Sequence, residues 1–164
     1  EPFPFAAVPF VLTPLSATLL HGGLLHLGFN LLMLIFCGRP VEKVLGGGRL
    51  ALLYGLGAYG AAAAQYAVDP TSGAPMIGAS GAVSALVAAY AMLFARGAVR
   101  AIGPLSAHLV RALWLAGAWI AIQWLIGKTT GDDASPIATA AHVGGFLVGL
   151  VLVRPLLAWR YRGA

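Results

Sequence analysis

The chain of 164 residues is 60% hydrophobic and only 9% charged, with a formal net charge of +5. A soluble domain carries about 25% charged residues, so this chain has too few charges to cover a soluble fold. The composition predicts a single all-α membrane domain, residues 1–164. Its basic residues lie in short connections and at the C-terminus, which is the positive-inside pattern and argues against nucleic acid as a partner. The lone cysteine, Cys37, allows neither an intrachain disulfide nor a metal cluster.

Residues 1–20 are apolar but hold four prolines, Pro2, Pro4, Pro9 and Pro14. Proline interrupts a helix because it lacks an amide hydrogen and collides with the preceding turn. We therefore expect an interfacial or re-entrant segment here instead of a straight spanning helix. Backbone of that kind at membrane depth must be covered by protein.

The first predicted span covers residues 21–38 and carries three polar side chains, His21, His26 and Asn30. His26 and Asn30 are four residues apart and share one helix face, whereas His21 lies about 140° away from His26 on an ideal helix. Polar groups in a span usually face the protein interior or a water-filled cavity. The pair fits either a polar site or hydrogen bonds between two helices.

The charges of the connections predict the topology. Basic connections at residues 39–49 and 96–111 are expected in the cytoplasm, as is the basic C-terminal end at 154–162. A second span at 50–68 follows the first basic connection. The next connection, residues 69–75, has turn-forming residues and no basic residue, so it is expected outside.

The third span, residues 80–95, begins at Ser80, which has Gly78 and Gly81 close on either side. Glycine has no Cβ, so other backbone can come near the serine. A packing face of small residues would have the same pattern. The strand–turn–helix serine motif of soluble hydrolases is absent because Ala82 stands where that motif needs glycine.

The fourth span covers residues 113–126, and the fifth covers residues 137–153 with His142, Gly145 and Gly149. Gly145 and Gly149 form a small-xxx-small pair, which lets another helix approach closely. His142 is seven residues before Gly149 and lies on nearly the same face. The predicted packing groove therefore has a histidine at its rim.

This topology places His26, Asn30, Ser80 and His142 in the outer half of the membrane. A serine hydroxyl is a weak nucleophile until a neighbouring base takes its proton, and His142 can be that base. The Ser80 backbone N–H, the Asn30 amide and the His26 ring N–H can stabilise a developing oxyanion. No acidic residue is placed to orient His142, so the pattern predicts a Ser-His dyad in a cavity open to the non-cytoplasmic side.

Four motifs in this chain resemble those of the rhomboid intramembrane serine proteases, over about residues 12–153. They are His21-Gly22-Gly23-Leu24-Leu25-His26-Leu27-Gly28-Phe29-Asn30, Val41-Glu42-Lys43-Val44-Leu45-Gly46, Gly78-Ala79-Ser80-Gly81 and Ala141-His142-Val143-Gly144-Gly145. The specificity of the resemblance comes from their order and from the span on which each one lies.

The resemblance implies a serine endopeptidase with Ser80 as nucleophile and His142 as general base. It implies His26 and Asn30 on the oxyanion side, with His21 in support near the start of the helix. It also implies a multi-pass protein of the lipid bilayer that cleaves transmembrane segments of protein substrates near the outer face, without a metal or other cofactor. The compact chain, rich in Ala and Gly, is typical of a bacterial plasma membrane.

Three features depart from the family pattern. The family core has six spans where this chain predicts five, so we expect the first family span to be missing here. Leu12-Thr13 replaces a Trp-Arg pair that many members carry, and Ser84 replaces an aromatic residue found in some members four positions after the serine. These changes imply a differently placed N-terminal loop and a less rigidly held base, and they leave the dyad intact.

Two other functions fit part of the pattern. A catalytically inactive rhomboid-like protein that binds membrane clients would typically lack the serine or the histidine, and both are present. A small channel or transporter would have polar groups through the full membrane depth, whereas the predicted inner half has almost none. The sequence therefore predicts an intramembrane serine endopeptidase.

Overall fold

The computed structural model describes residues 8–73, 75–94, 99–129 and 136–162. The α-helices in this part of the chain are α1 (Thr13–Ser16), α2 (Leu24–Met33), α3 (Arg39–Leu45), α4 (Gly47–Val68), α5 (Ser80–Phe94), α6 (Ala107–Thr129) and α7 (Pro136–Arg160). The all-helical prediction is thus confirmed. The same residues include no strand and one isolated bridge, between Ile102 and Leu105.

The N-terminal segment is a short apolar helix, Phe10–Leu19, that changes between 3-10 and α geometry. The 3-10 turns Phe10–Leu12 and Ala17–Leu19 stand on either side of α1. Pro14 lies in the first turn of α1, where a missing amide hydrogen costs no helical hydrogen bond. The Tyr59 hydroxyl donates to the carbonyl oxygen of Val11 at 2.6 Å and ties the segment to α4. The placement of this segment at the membrane interface stays a prediction.

The predicted loop over residues 39–49 is helical in the structure except at Gly46. Helix α2 begins three residues after the predicted start and continues through a π-helical turn, Leu34–Gly38, into α3. Pro40 lies in the first turn of α3, directly after the π turn has interrupted the regular hydrogen-bond ladder, so the helix accommodates it. Gly46, with φ of +82°, then reverses the chain into α4, because glycine adopts positive φ at little cost.

Helices α6 and α7 are both longer than predicted. Helix α6 begins at Ala107, six residues before the predicted start, because the Ser106 hydroxyl accepts a hydrogen bond from the amide of Leu109 and caps the helix. Helix α7 continues to Arg160, seven residues past the predicted end, and includes Pro155. The polar stretch at 128–136, with Asp132 and Asp133, is expected to form an outer connection and lies mostly outside the described residues.

Two helices in the described part of the chain are long and apolar enough to cross a membrane, Leu24–Leu45 and Thr139–Arg160. Helices over Ser80–Phe94 and Ala107–Ala121 are apolar but shorter. The count of five spans stays a prediction. Large apolar side chains such as Leu25 and Phe29 are exposed to the surroundings at 91% and 69%, as on a surface that faces lipid.

Helix α5 is the centre of the bundle, since nine of its fifteen residues are buried. Helices α4, α5 and α7 all pack against one another, with the most extensive contact between α4 and α7, and α6 packs against α7. The hydrophobic core lies where these helices meet α3. Its largest fully buried side chains are Leu45, Leu53, Leu86, Val41, Val153 and Cys37.

Glycines let α4, α5 and α7 pack with their backbones in contact. A Cβ at Gly145 would overlap the carbonyl oxygen of Gly81, and a Cβ at Gly149 would overlap that of Ala85. At the same crossing, a Cβ at Gly81 would lie 2.5 Å from the Cβ of Ala61 on α4. The spacing of the three helices therefore requires glycine at these crossings, as in the small-residue interfaces of membrane helices.

Replacement of Gly145 by alanine should destabilise the fold, because the added methyl group has no space against the Gly81 carbonyl. Overpacking of this kind costs about 1–3 kcal/mol, which lowers the unfolding midpoint of a chain this size by roughly 2–10 °C. Thermal unfolding in detergent measures the effect. Gly117→Ala is the matched control, since a Cβ there meets nothing within 4 Å. Equal midpoints for the two variants would contradict the packing analysis.

Candidate active site

Ser80 is the first residue of α5 and follows a turn that needs glycine. Gly78 has φ of +111°, a conformation that residues with a Cβ rarely adopt. The amide of Gly78 donates to the carbonyl oxygen of Ala17 at 3.0 Å, which joins the turn to the N-terminal segment. Ser80 is half-buried, so its hydroxyl is held at the end of a rigid helix yet remains accessible.

His142, in the second turn of α7, directs its imidazole at Ser80. Nε2 of His142 and Oγ of Ser80 are 2.8 Å apart, which is a short hydrogen bond between a hydroxyl and a ring nitrogen. The contact between Gly145 and the backbone of Gly81 brings the two helices close enough for this bond. A serine hydroxyl paired with an imidazole in this way can lose its proton to the ring.

The turn of α7 that carries His142 is held by an aromatic pair. The indole nitrogen Nε1 of Trp119, on α6, donates to the carbonyl oxygen of His142 at 3.4 Å. The Trp119 ring also stacks on Phe146, with centroids 4.8 Å apart and planes 8° from parallel. Ser84 donates its hydroxyl to the carbonyl oxygen of Ser80 at 2.8 Å, and the expectation that it leaves His142 less rigidly held stays a prediction.

A cavity of about 210 Å³ lies beside the Ser80–His142 pair. Most of its lining is small or apolar, from Pro14 and Thr18 of the N-terminal segment to Ala58 and Ala61 of α4 and Met76 of the turn before Ser80. A space of this size holds several water molecules or a small side chain. Water can therefore reach the serine although the surrounding helices are apolar.

His26 lies against the turn that precedes Ser80. Its Nδ1 accepts a hydrogen bond from the amide of Gly22 at 3.3 Å, so in the neutral ring the hydrogen is on Nε2. A Cβ at Gly78 would lie 2.7 Å from that Nε2 and 3.8 Å from Oγ of Ser80. The donor nitrogen of His26 and the serine hydroxyl therefore approach the same side of the Gly78 backbone.

Asn30 makes its hydrogen bond within its own helix. The Asn30 side chain is buried, and its amide nitrogen donates to the carbonyl oxygen of His26, one turn earlier in α2, at 2.8 Å. This bond occupies one of the two amide hydrogens that we expected to face an oxyanion. Neither Asn30 nor His26 lines the 210 Å³ cavity.

His21 precedes α2, so the helical angle predicted between it and His26 does not apply. The chain from Gly22 to Gly23 instead brings the two rings together edge to face, with centroids 5.1 Å apart. Nε2 of His21 is buried and has no hydrogen-bond partner among the described residues. The structure thus places His21 beside the His26 ring.

Two contributors to this site, Trp119 and Phe146, had no role in the sequence analysis. Phe146 is four residues after His142, on the same helix face, and this spacing is the one signal that could have identified it. The partnership with Trp119 depends on how α6 packs, which no local pattern reports. No three His, Cys, Asp or Glu side chains form a potential metal site within residues 8–73, 75–94, 99–129 and 136–162.

Comparison with known proteins gives consistent matches. Residues 11–159 match the family model described as the Rhomboid domain. The chain is 36% identical over 127 residues to the "Rhomboid protease GlpG" of Pectobacterium atrosepticum, an alignment that covers 77% of this chain and 42% of the relative. The protein of the same name from Serratia proteamaculans is 34% identical over 127 residues, with 77% and 41% covered.

A third relative matches a shorter stretch. The human "Rhomboid-related protein 3" is 40% identical over 65 residues, which are 40% of this chain and 16% of the relative. The chain thus spans less than half the length of these curated relatives. No solved structure matches the chain in this comparison.

The short Ser80–His142 contact predicts a serine that reacts with fluorophosphonates. We expect a fluorescent fluorophosphonate to label the detergent-solubilised wild type, and labelling to disappear in both Ser80→Ala and His142→Ala. In-gel fluorescence measures the labelling, and thermal unfolding verifies that each variant is folded. The buried Ser84 supplies the control: Ser84→Ala should retain labelling. A folded wild type that stays unlabelled, or labelling that survives in Ser80→Ala, would contradict an activated Ser80.

Proposed function

The chain belongs to the rhomboid family, and we propose from this membership and from the Ser80–His142 pair that it is an intramembrane serine endopeptidase. Membership makes it an integral membrane protein. The alignments to the two relatives named as proteases cover 77% of this chain, at 36% and 34% identity. Because they are much longer than the chain, the activity is proposed from the site itself.

The observation that carries the proposal is the 2.8 Å contact between Oγ of Ser80 and Nε2 of His142. The two residues are 62 positions apart in the chain and come from two different helices. Packing alone does not require a histidine to reach a serine across such a crossing. The pair also borders a cavity, which a purely structural hydrogen bond does not need.

The proposed reaction is acyl transfer in two steps. Oγ of Ser80 attacks the carbonyl carbon of the scissile peptide while Nε2 of His142 takes the hydroxyl proton. The imidazolium then gives this proton to the leaving amine, the C–N bond breaks, and an ester on Ser80 remains. In the second step His142 removes a proton from a water in the cavity, the resulting hydroxide attacks the ester, and Ser80 is released with its proton restored.

Two groups are proposed to stabilise the oxyanion that forms in both steps. The Ser80 amide is at the N-terminus of α5, where the first N–H groups have no carbonyl partner within the helix. Nε2–H of His26 is the second donor, because the Gly22 amide engages Nδ1 and the ring lies against Gly78. Asn30 supports this arrangement through its bond to the His26 carbonyl and retains a second amide hydrogen.

The substrate is proposed to be a transmembrane segment of a membrane protein, cleaved near the non-cytoplasmic face. The cavity of about 210 Å³ is lined partly by alanine and glycine, which suits small side chains next to the scissile bond. Glycine also makes a substrate helix easier to unwind, because it is a weak helix former. Local unwinding exposes the peptide carbonyl to Ser80.

Proteolysis is tested with a fluorogenic single-span peptide whose membrane segment has Ala and Gly near its outer end, reconstituted with the protein in liposomes. We expect turnover by the wild type and none by Ser80→Ala, because Ser80 is the proposed nucleophile. Mass spectrometry of the products locates the cleaved bond. Binding of the peptide without cleavage by a folded wild type would instead favour an inactive rhomboid-like protein that binds membrane clients.

His26→Phe tests the second oxyanion donor, because phenylalanine keeps a ring against Gly78 but has no N–H. Loss of one such donor typically lowers kcat about 100- to 1000-fold. We expect a fall of that size with KM changed much less, measured on the same peptide. His21→Phe is the matched control and should retain most of the activity, since His21 contacts His26 and not Ser80. Equal effects of the two substitutions would contradict the assignment of His26.

A further inference from the structure

A cluster of basic residues lies at the end of the bundle opposite the Ser80–His142 pair. His142 and Arg160 both lie on α7, 18 residues apart. At about 1.5 Å per residue, this separation is roughly 27 Å along the helix axis. The last turn of α7 meets the turn between α3 and α4. The described charged residues around this junction are the basic Lys43, Arg49, Arg160 and Arg162 and the acidic Glu42.

Two of these arginines converge on one point. A Cβ at Gly46 would lie 3.3 Å from Nη1 of Arg160 and 3.8 Å from Nη1 of Arg49. The two guanidinium groups come from different helices, α7 and α4, and meet over the glycine turn. Glu42 is exposed, with Oε1 3.3 Å from the Cβ position of Gly47, and no ion pair joins it to either arginine in the described part of the chain. Two like charges held this close favour an anion between them.

Each arginine has already made a structural bond and retains further donors. Nη1 of Arg160 donates to the carbonyl oxygen of Lys43 at 3.2 Å, and Nη1 of Arg49 donates to that of Leu45 at 3.4 Å. Both carbonyls lie in the last turn of α3, where carbonyl oxygens have no hydrogen-bond donor within the helix. A guanidinium has five N–H donors, and Nε of Arg49 is buried without a partner among the described residues. The capping bonds therefore orient the arginines without saturating them.

Aromatic residues place this cluster at the depth of lipid headgroups. Trp159 and Tyr161 are each 52% exposed at the end of α7. The Arg49 guanidinium lies 4.7 Å from the centroid of the Trp159 ring, and the Arg160 guanidinium lies 5.5 Å from that of Tyr161. Exposed Trp and Tyr at the end of a spanning helix are typical of the membrane–water interface, where the anions in greatest supply are phospholipid phosphates.

We propose that Arg49 and Arg160 form a binding site for the headgroup phosphate of an anionic phospholipid, over the Gly46 turn. Arginine suits this role because its planar fork can pair with two phosphate oxygens at once. The bound lipid bridges α4 and α7 and neutralises the repulsion between their arginines. This proposal rests on the membrane location of the family and does not depend on the proposed proteolytic activity.

The test is lipid retention by the purified chain in a neutral detergent, measured by native mass spectrometry during titration with phosphatidylglycerol or phosphatidylcholine. We expect the wild type to retain phosphatidylglycerol preferentially. Arg49→Gln and Arg160→Gln should each weaken this binding about tenfold or more, as expected for loss of a hydrogen bond to a charged group. Arg100→Gln is the matched control, because it removes the same charge from an exposed residue in another connection and should bind as the wild type does.

Several results would overturn the proposal. Equal retention of the two lipids by the wild type would overturn the proposal by itself. This result does not depend on the variants, so the test remains decisive even if Arg160→Gln fails to fold. A loss in Arg100→Gln as large as in Arg49→Gln would mean that net charge alone attracts the lipid. Displacement of the lipid by millimolar inorganic phosphate would identify a site for the free anion instead. Thermal unfolding in phosphatidylcholine verifies the fold of each variant.

Discussion

The structure depends on contact between the backbones of α4, α5 and α7. Gly81 and Gly145 allow the α5 and α7 backbones to touch, and this distance is what brings His142 within 2.8 Å of Ser80. A hydrogen bond between two short side chains tolerates little variation in the separation of their helices. In a membrane, where apolar contacts between helices gain nothing over contacts with lipid, close packing of small residues is also a main source of helix association. The same glycines therefore contribute to both stability and site geometry.

The fully buried apolar core and the Ser80–His142 pair occupy different parts of the bundle. The fully buried core side chains, such as Leu45, Leu53 and Leu86, lie where α3 packs against the central helices, whereas Ser80 and His142 are at the ends of α5 and α7 that face the connecting turns. A cavity beside the serine reduces packing locally, and the apolar core elsewhere compensates for it. Water can thus approach the reactive pair without disturbing the contacts that hold the helices together.

Much of the helical arrangement follows from local patterns, and its errors have identifiable causes. The start of α5 at Ser80 and the end of α4 at Val68 agree with apolar runs bounded by turn residues. The continuation of α2 into α3 was missed because Arg39-Pro40 normally predicts a helix end, and a π-helical turn before a proline has no sequence signature. The extended lengths of α6 and α7 were missed because basic residues were assigned to connections, although they also occupy helix ends.

Composition by itself determined that this is an all-α membrane-type chain, and motif order determined which serine and histidine to consider together. The tertiary structure decided how the site is assembled: that His26 presents Nε2 over Gly78, that Asn30 bonds to its own helix, and that Trp119 and Phe146 hold the turn carrying His142. The physical reason is the distance along the chain over which each kind of interaction acts. Hydrophobicity and turn propensity act over neighbouring residues, whereas contacts such as that between Trp119 and His142 depend on how separate helices are rotated and spaced, which is set by packing over the whole bundle.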